Sequence, residues 1–175
     1  MDRINEADDI RDWLLRLAEE ALAAEGSLDS AHDIDHVERT MVLAQTIQAQ
    51  EGGDLPTILA AVAFHDIGQE RERRKGGDYA VIGAEMAADI LADTRFPQNA
   101  IPAVQLAIRE HRMTGGVRPQ TLEGRITYDA DKIDSLGAIG VARLYCMTGL
   151  LGQKVYAPTP ENLFPPVDPA TLRQM

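Results

Sequence analysis

The stretch AVAFHDIG (Ala61–Gly68) carries an apolar run straight into a histidine and an aspartate. The residues before it have the composition of a buried helix. Asp54 is placed to cap that helix, Pro56 falls in its first turn, and Gly68 marks its expected end. His65 and Asp66 therefore interrupt a segment where desolvation of polar groups is costly, and groups in such places require partners.

Working outward, nearly every other segment has a helical period. Ile10, Trp13, Leu14, Leu17, Ala18 and Ala21 form one stripe, with acidic residues opposite and Gly26 as a stop. A second helix is expected from about Asp33 to Gln50, with Val37, Met41 and Ala44 inward, ended by EGGD (Glu51–Asp54). A fourth is expected over Asp78–Asp93, a fifth over Pro97–Met113, and one or two more over Thr121–Met147, divided near Ser135–Gly137. Alternating β-branched runs and hairpin turns are nearly absent. The expected fold class is an all-α bundle, with residues 1–150 as one domain and 151–175 as a proline-rich tail, an extended strap or partly disordered rather than helical.

At 175 residues the chain suffices for one continuous core. Its net charge of −11 argues against long nucleic acids as partners, because phosphate backbones require basic surfaces. No run is long and apolar enough for a membrane, and the N-terminus lacks a secretory pattern. A single cysteine, Cys146, cannot form an internal disulfide, which makes a reducing cytoplasm the expected location. Cys146 lies in an apolar run and is expected in the core.

The four histidines are His32, His36, His65 and His111. His111 continues the stripe Ile101, Val104, Ile108, and His36 adjoins the inward Val37. Taken singly, each reads as a satisfied core histidine. Asp131, in DADKID (Asp129–Asp134), adds a carboxylate to a helix that must be largely buried. One cation resolves all of these placements. His36, His65, Asp66 and Asp131 would offer it two imidazole nitrogens and two carboxylate oxygens from converging helices, leaving positions open for water and substrate.

The pattern of His36 in HDIDHVERT, His65–Asp66 in AVAFHDIG and Asp131 in DADKIDSLGAIGVAR resembles the HD-domain superfamily of metal-dependent phosphohydrolases. The resemblance spans roughly Ser30–Arg143 and is most like the small stand-alone bacterial and archaeal members, some of which cleave nucleotides. It implies a helical bundle with a metal site between helices and a divalent ion, Mn, Co, Fe, Ni or Mg. It further implies hydrolysis of a phosphate ester or anhydride of a small nucleotide-like substrate by water activated at the ion. Asp66 and Glu70 are candidates to orient that water, and His111 is a candidate catalytic or substrate contact. Arg39, Arg71, Arg74, Lys75 and Lys132 are candidate phosphate-binding residues. The first of these stands one turn after His36; Arg71, Arg74 and Lys75 belong to a basic segment read as a loop, QERERRKGGD (Gln69–Asp78).

Departures narrow the implication. Tyr79 stands where relatives with two metals place a further histidine, so a two-metal site is not expected. Gln69 replaces the lysine of cyclic-dinucleotide phosphodiesterases, and the Glu–Asp pair of alarmone hydrolases is missing after the His–Asp step. A nucleoside monophosphate phosphatase and a non-catalytic metal- or ligand-binding regulatory module stay open as alternatives. Exposed apolar stripes and the acidic tail are compatible with a homo-oligomer.

Overall fold

A computed structural model describes residues 6–26, 31–112 and 118–154. Among these the chain forms eight α-helices and one 3₁₀ turn, with no strand. They are α1 (Glu6–Glu25), α2 (Ile34–Glu51), α3 (Leu55–Phe64), α4 (Gln69–Lys75), α5 (Tyr79–Ala92), α6 (Ile101–Glu110), α7 (Leu122–Asp134) and α8 (Gly137–Leu150); the 3₁₀ turn, Gln98–Ala100, leads into α6. The all-α expectation holds. Residues from 155 onward, the bulk of the anticipated tail, lie outside the described residues.

Short polar side chains set the helix starts. Asp33 Oδ1 accepts from the His36 backbone N–H at 3.1 Å, Asp54 Oδ2 from Thr57 at 3.0 Å, and Thr121 Oγ1 from Gly124 at 3.0 Å. Each satisfies a donor that the first turn of a helix leaves unpaired. At the far end of α2, Gly52 adopts φ +83°, a conformation that side-chain-bearing residues rarely reach, and its N–H closes onto Gln48.

The core is centred on α3. Every residue from Thr57 to Phe64 is buried, and the helix packs against α1, α2, α5, α6 and α7. A helix apolar on all sides needs neighbours on all sides, which is why the bundle closes around this one. Leu14 and Ala18 from α1, Val37, Met41 and Ala44 from α2, Ala84, Ala87 and Leu91 from α5, Val104 and Ile108 from α6, and Ile126 from α7 join it in the cluster.

Two expectations give way here. The helix carrying the His–Asp pair ends at Phe64 rather than near Gly68, and 65–68 form a turn. The basic segment Gln69–Lys75 is a helix rather than a loop, held by Glu70 pairing with Arg73 and Arg74 one turn on and closed by Gly76 at φ +74°. Cys146 is a third correction. It is exposed, because α8 buries none of its residues: its main neighbour is α7, and nothing among the described residues covers the outer face.

Candidate metal centre

Gly68 explains how the turn after α3 is aimed. A Cβ there would sit 2.2 Å from the Tyr79 carbonyl oxygen and 2.7 Å from the Gly83 nitrogen, so only glycine lets α5 lie against this turn. That close approach fixes His65 and Asp66 against the rest of the bundle. A second tight contact sets the other wall. Buried Glu110 ends α6 and accepts from the Gln120 and Thr121 backbone N–H groups and the Thr121 hydroxyl, at 2.7 to 3.3 Å. It ties the residue preceding His111 to the start of α7, and Gly124 leaves the room its carboxylate needs.

These constraints bring the distant residues together. His36 Nε2 lies 3.2 Å from His65 Nε2, 3.5 Å from Asp131 Oδ1 and 3.6 Å from Asp66 Oδ2. His65 Nε2 lies 3.1 Å from Asp66 Oδ2 and 3.8 Å from Asp131 Oδ1. His111 joins from α6, its Nε2 3.8 Å from Asp66 Oδ1. All five residues are buried. His36, His65 and Asp131 offer ligand atoms within one ion's reach of each other, and so do His65, Asp66 and His111.

The outer nitrogens of the imidazoles decide what the inner ones can do. His65 Nδ1 faces the Val62 carbonyl at 2.8 Å, His111 Nδ1 the Ile108 carbonyl at 2.5 Å, and His36 Nδ1 the Asp134 carboxylate at 2.8 Å. Carbonyls and carboxylates only accept, so each Nδ1 carries a proton and each neutral ring turns the Nε2 lone pair inward. Two lone pairs 3.2 Å apart repel unless a proton or a cation lies between them. His111 Nε2 is buried with no hydrogen-bond partner at all. The donor set fits a divalent cation.

The electrostatics agree. Burial pulls the His65 pKa down, but the Asp66 and Asp131 carboxylates overcome it and lift the imidazole to about 9. Burial pushes Asp66 upward, yet the positive field of His65 and the other histidines holds it well below the usual carboxylate range. Asp131 is held down in the same way by His65 and Lys132 against burial and the like charge of Asp66. A cluster that raises one member and lowers two is one that attracts positive charge.

A family model described as "HD domain" matches residues 33–136. The chain belongs to the HD domain family. The matched residues contain the three histidines of the cluster, His36, His65 and His111, and both of its aspartates, Asp66 and Asp131. Among solved structures, a predicted HD superfamily hydrolase from an uncultured Thermotogales bacterium is similar at 35% identity and TM-score 0.64, covering 78% of this chain and 74% of that one. An HD-superfamily hydrolase from Bacillus thuringiensis shares 26% identity, with TM-score 0.62 and coverage of 94% and 76%. The uncharacterized protein YpgQ of Bacillus subtilis is 26% identical over 159 residues, 89% of this chain and 73% of YpgQ. A crystal structure of YpgQ is in complex with ADP, and the fold superposes with TM-score 0.62.

Around the HD cluster the remaining candidates fall in different places. Lys132 Nζ contacts Asp131 Oδ2 at 2.5 Å and lies over the Tyr128 ring. Arg39 directs Nε and Nη2 to Asp134. Glu70 is paired with Arg73 and Arg74, while Arg71 and Arg74 both bond Glu25 of α1; Lys75 is exposed. Tyr79 sets its ring edge-on to His111 with centroids 5.4 Å apart, and Arg112 lies over it. Sequence reasoning passed over Asp134 and Glu110. The first had a signal, since it stands three residues after Asp131 and so shares its helix face.

Proposed function

We propose that this chain is a metal-dependent phosphohydrolase that cleaves a phosphate ester or anhydride bond of a small, nucleotide-like substrate with water. The observation that carries this is the approach of His36 Nε2 and His65 Nε2 to each other and to Asp66 Oδ2 and Asp131 Oδ1, at 3.1 to 3.8 Å, with the Nδ1 of each imidazole already committed elsewhere. These four would hold the ion, one of Mn, Co, Fe, Ni or Mg. When bound, it supplies charge neutralisation at a phosphoryl oxygen and a water acidified toward neutral pH.

The chain's own residues would do the rest. Asp66 Oδ1 and His111 Nε2 are two acceptors facing each other across 3.8 Å. A water held beside this pair would donate a hydrogen to one of the two, which then takes the proton released on attack. Lys132, about one-third exposed in its side chain, would exchange its contact with Asp131 for a phosphate oxygen. Phosphoryl transfer needs such positioning and charge more than covalent help. The ADP complex of YpgQ supports a nucleotide as the ligand class.

The intact ligand set favours an enzyme over a regulatory module. Screening nucleotides and phosphate esters with Mn²⁺, Co²⁺, Ni²⁺, Fe²⁺ and Mg²⁺ tests the proposal, with His65→Ala as the blank. Turnover should appear in the parent and vanish in the blank, and the product separates a monophosphatase (phosphate) from a triphosphate pyrophosphohydrolase (pyrophosphate). Equal turnover in both proteins would place the activity elsewhere.

A further inference from the structure

We infer that Asp134 is a positioning residue for His36, clamped by Arg39 and Arg143, which makes the peripheral helix α8 part of the metal centre. The inference rests on the metal-centre reading above. Asp134 is the last residue of α7 and is nearly buried. Its Oδ2 accepts from His36 Nδ1 at 2.8 Å, from Arg39 Nη2 at 3.1 Å and from Arg143 Nη1 at 3.0 Å, while Oδ1 accepts from Arg39 Nε at 2.8 Å. Thr40 Oγ1 lies 3.2 Å from the same His36 nitrogen. A carboxylate behind a ligating imidazole fixes the ring's orientation and tautomer and makes the opposite nitrogen a stronger donor. Two guanidinium groups keep that carboxylate ionised and stationary.

Arg143 gives the arrangement its reach. It lies beyond the residues that match the family model, on a helix that buries none of its residues, so apolar packing alone does not seat α8. Its guanidinium spans three groups: the Ala31 carbonyl from Nε at 2.7 Å, and Asp134 Oδ2 and the Ser135 hydroxyl from Nη1. Arg39 has its Nε and Nη2 taken by Asp134, which suits a clamp better than the phosphate contact expected from the sequence.

Titrating the metal-stripped full-length chain with Mn²⁺ by calorimetry tests this, alongside ¹⁵N NMR of the histidine rings in the metal-free state. Asp134→Asn keeps the shape and removes the charge. It should weaken Mn²⁺ binding roughly 10- to 100-fold and shift His36 from its Nδ1–H tautomer toward a mixture, which a purely structural role would not do. Arg143→Ala should weaken binding in the same direction by a smaller factor, and it serves as the decisive variant if Asp134→Asn does not fold. A folded variant that binds Mn²⁺ within about twofold of the parent, with the His36 tautomer unchanged, overturns the inference alone. A parent that binds no Mn²⁺ overturns the metal-centre reading and this inference with it.

Discussion

His36 Nε2 lies 3.2 Å from His65 Nε2, the rings crossing at 68°, although helix α2 and the turn after α3 contribute them from 29 positions apart. Each ring is held from behind, one by Asp134 and the other by the Val62 carbonyl. The fold has committed two imidazoles to a contact that is unfavourable without positive charge between them. The predictions below follow from that.

The first concerns pH. His65 is lifted from 6.5 to about 9, mainly by Asp66 and Asp131 acting against burial. A raised histidine pKa stabilises the fold fully below about pH 6.5, and the contribution fades as pH climbs through 9. Asp66 and Asp131 are shifted down, so their contribution holds above the ordinary carboxylate range and is lost as pH falls through their lowered values. The thermal midpoint of metal-free protein should therefore decline between pH 6.5 and 9, and Mn²⁺ affinity should rise over the same window as the ion displaces the His65 proton. Calorimetry in buffers of different ionisation enthalpy measures the released proton; no release at pH 7.5 would contradict the assignment.

Gly68→Ala should be severe. The new methyl would meet the Tyr79 carbonyl at 2.2 Å, a backbone atom that cannot swing aside. The expected cost is about 3 kcal/mol or more, a fall in thermal midpoint of roughly 6–12 °C for a chain this size. Differential scanning fluorimetry reads it, and an unchanged midpoint would mean that α5 does not rest on this turn.

His111→Ala separates catalysis from ion binding. Its Nε2 faces Asp66 Oδ1, away from the Asp66 oxygen that approaches His36 and His65. Loss of proton transfer should lower kcat on the order of 10²-fold while bound metal stays close to the parent's. Metal loss equal to that of His65→Ala would make it a ligand instead.

Lys132→Ala should raise KM for the phosphorylated substrate and leave metal content unchanged, since Lys132 contacts Asp131 through the oxygen Oδ2 that does not face His36. Steady-state kinetics with metal analysis checks both halves, and an unaltered KM would remove Lys132 from substrate binding.

The limits of the sequence reading have a physical pattern. Helices α2, α5 and α7 were legible because periodic apolar stripes coincide with Asp or Thr caps, both local signals. The short α4 was missed because seven charged and polar residues between glycines also describe a loop; the pairs from Glu70 to Arg73 and Arg74 decide the matter. Cys146 was misplaced because an apolar run implies burial only where a partner helix exists, and α8 has few neighbours. Within the site, the residue types of the cluster were visible as polar intrusions on apolar faces. The destination of Arg39 was not, because Asp134 stands 95 positions away and only the packing of α2 on α7 joins them.

The most direct test of the central claim is metal stoichiometry. Inductively coupled plasma mass spectrometry on protein equilibrated with Mn²⁺ and then desalted should find about one ion per chain in the parent and almost none in His65→Ala or Asp131→Ala. Parent protein without bound metal, or variants that retain the parent's ratio, would contradict the metal centre built from His36, His65, Asp66 and Asp131.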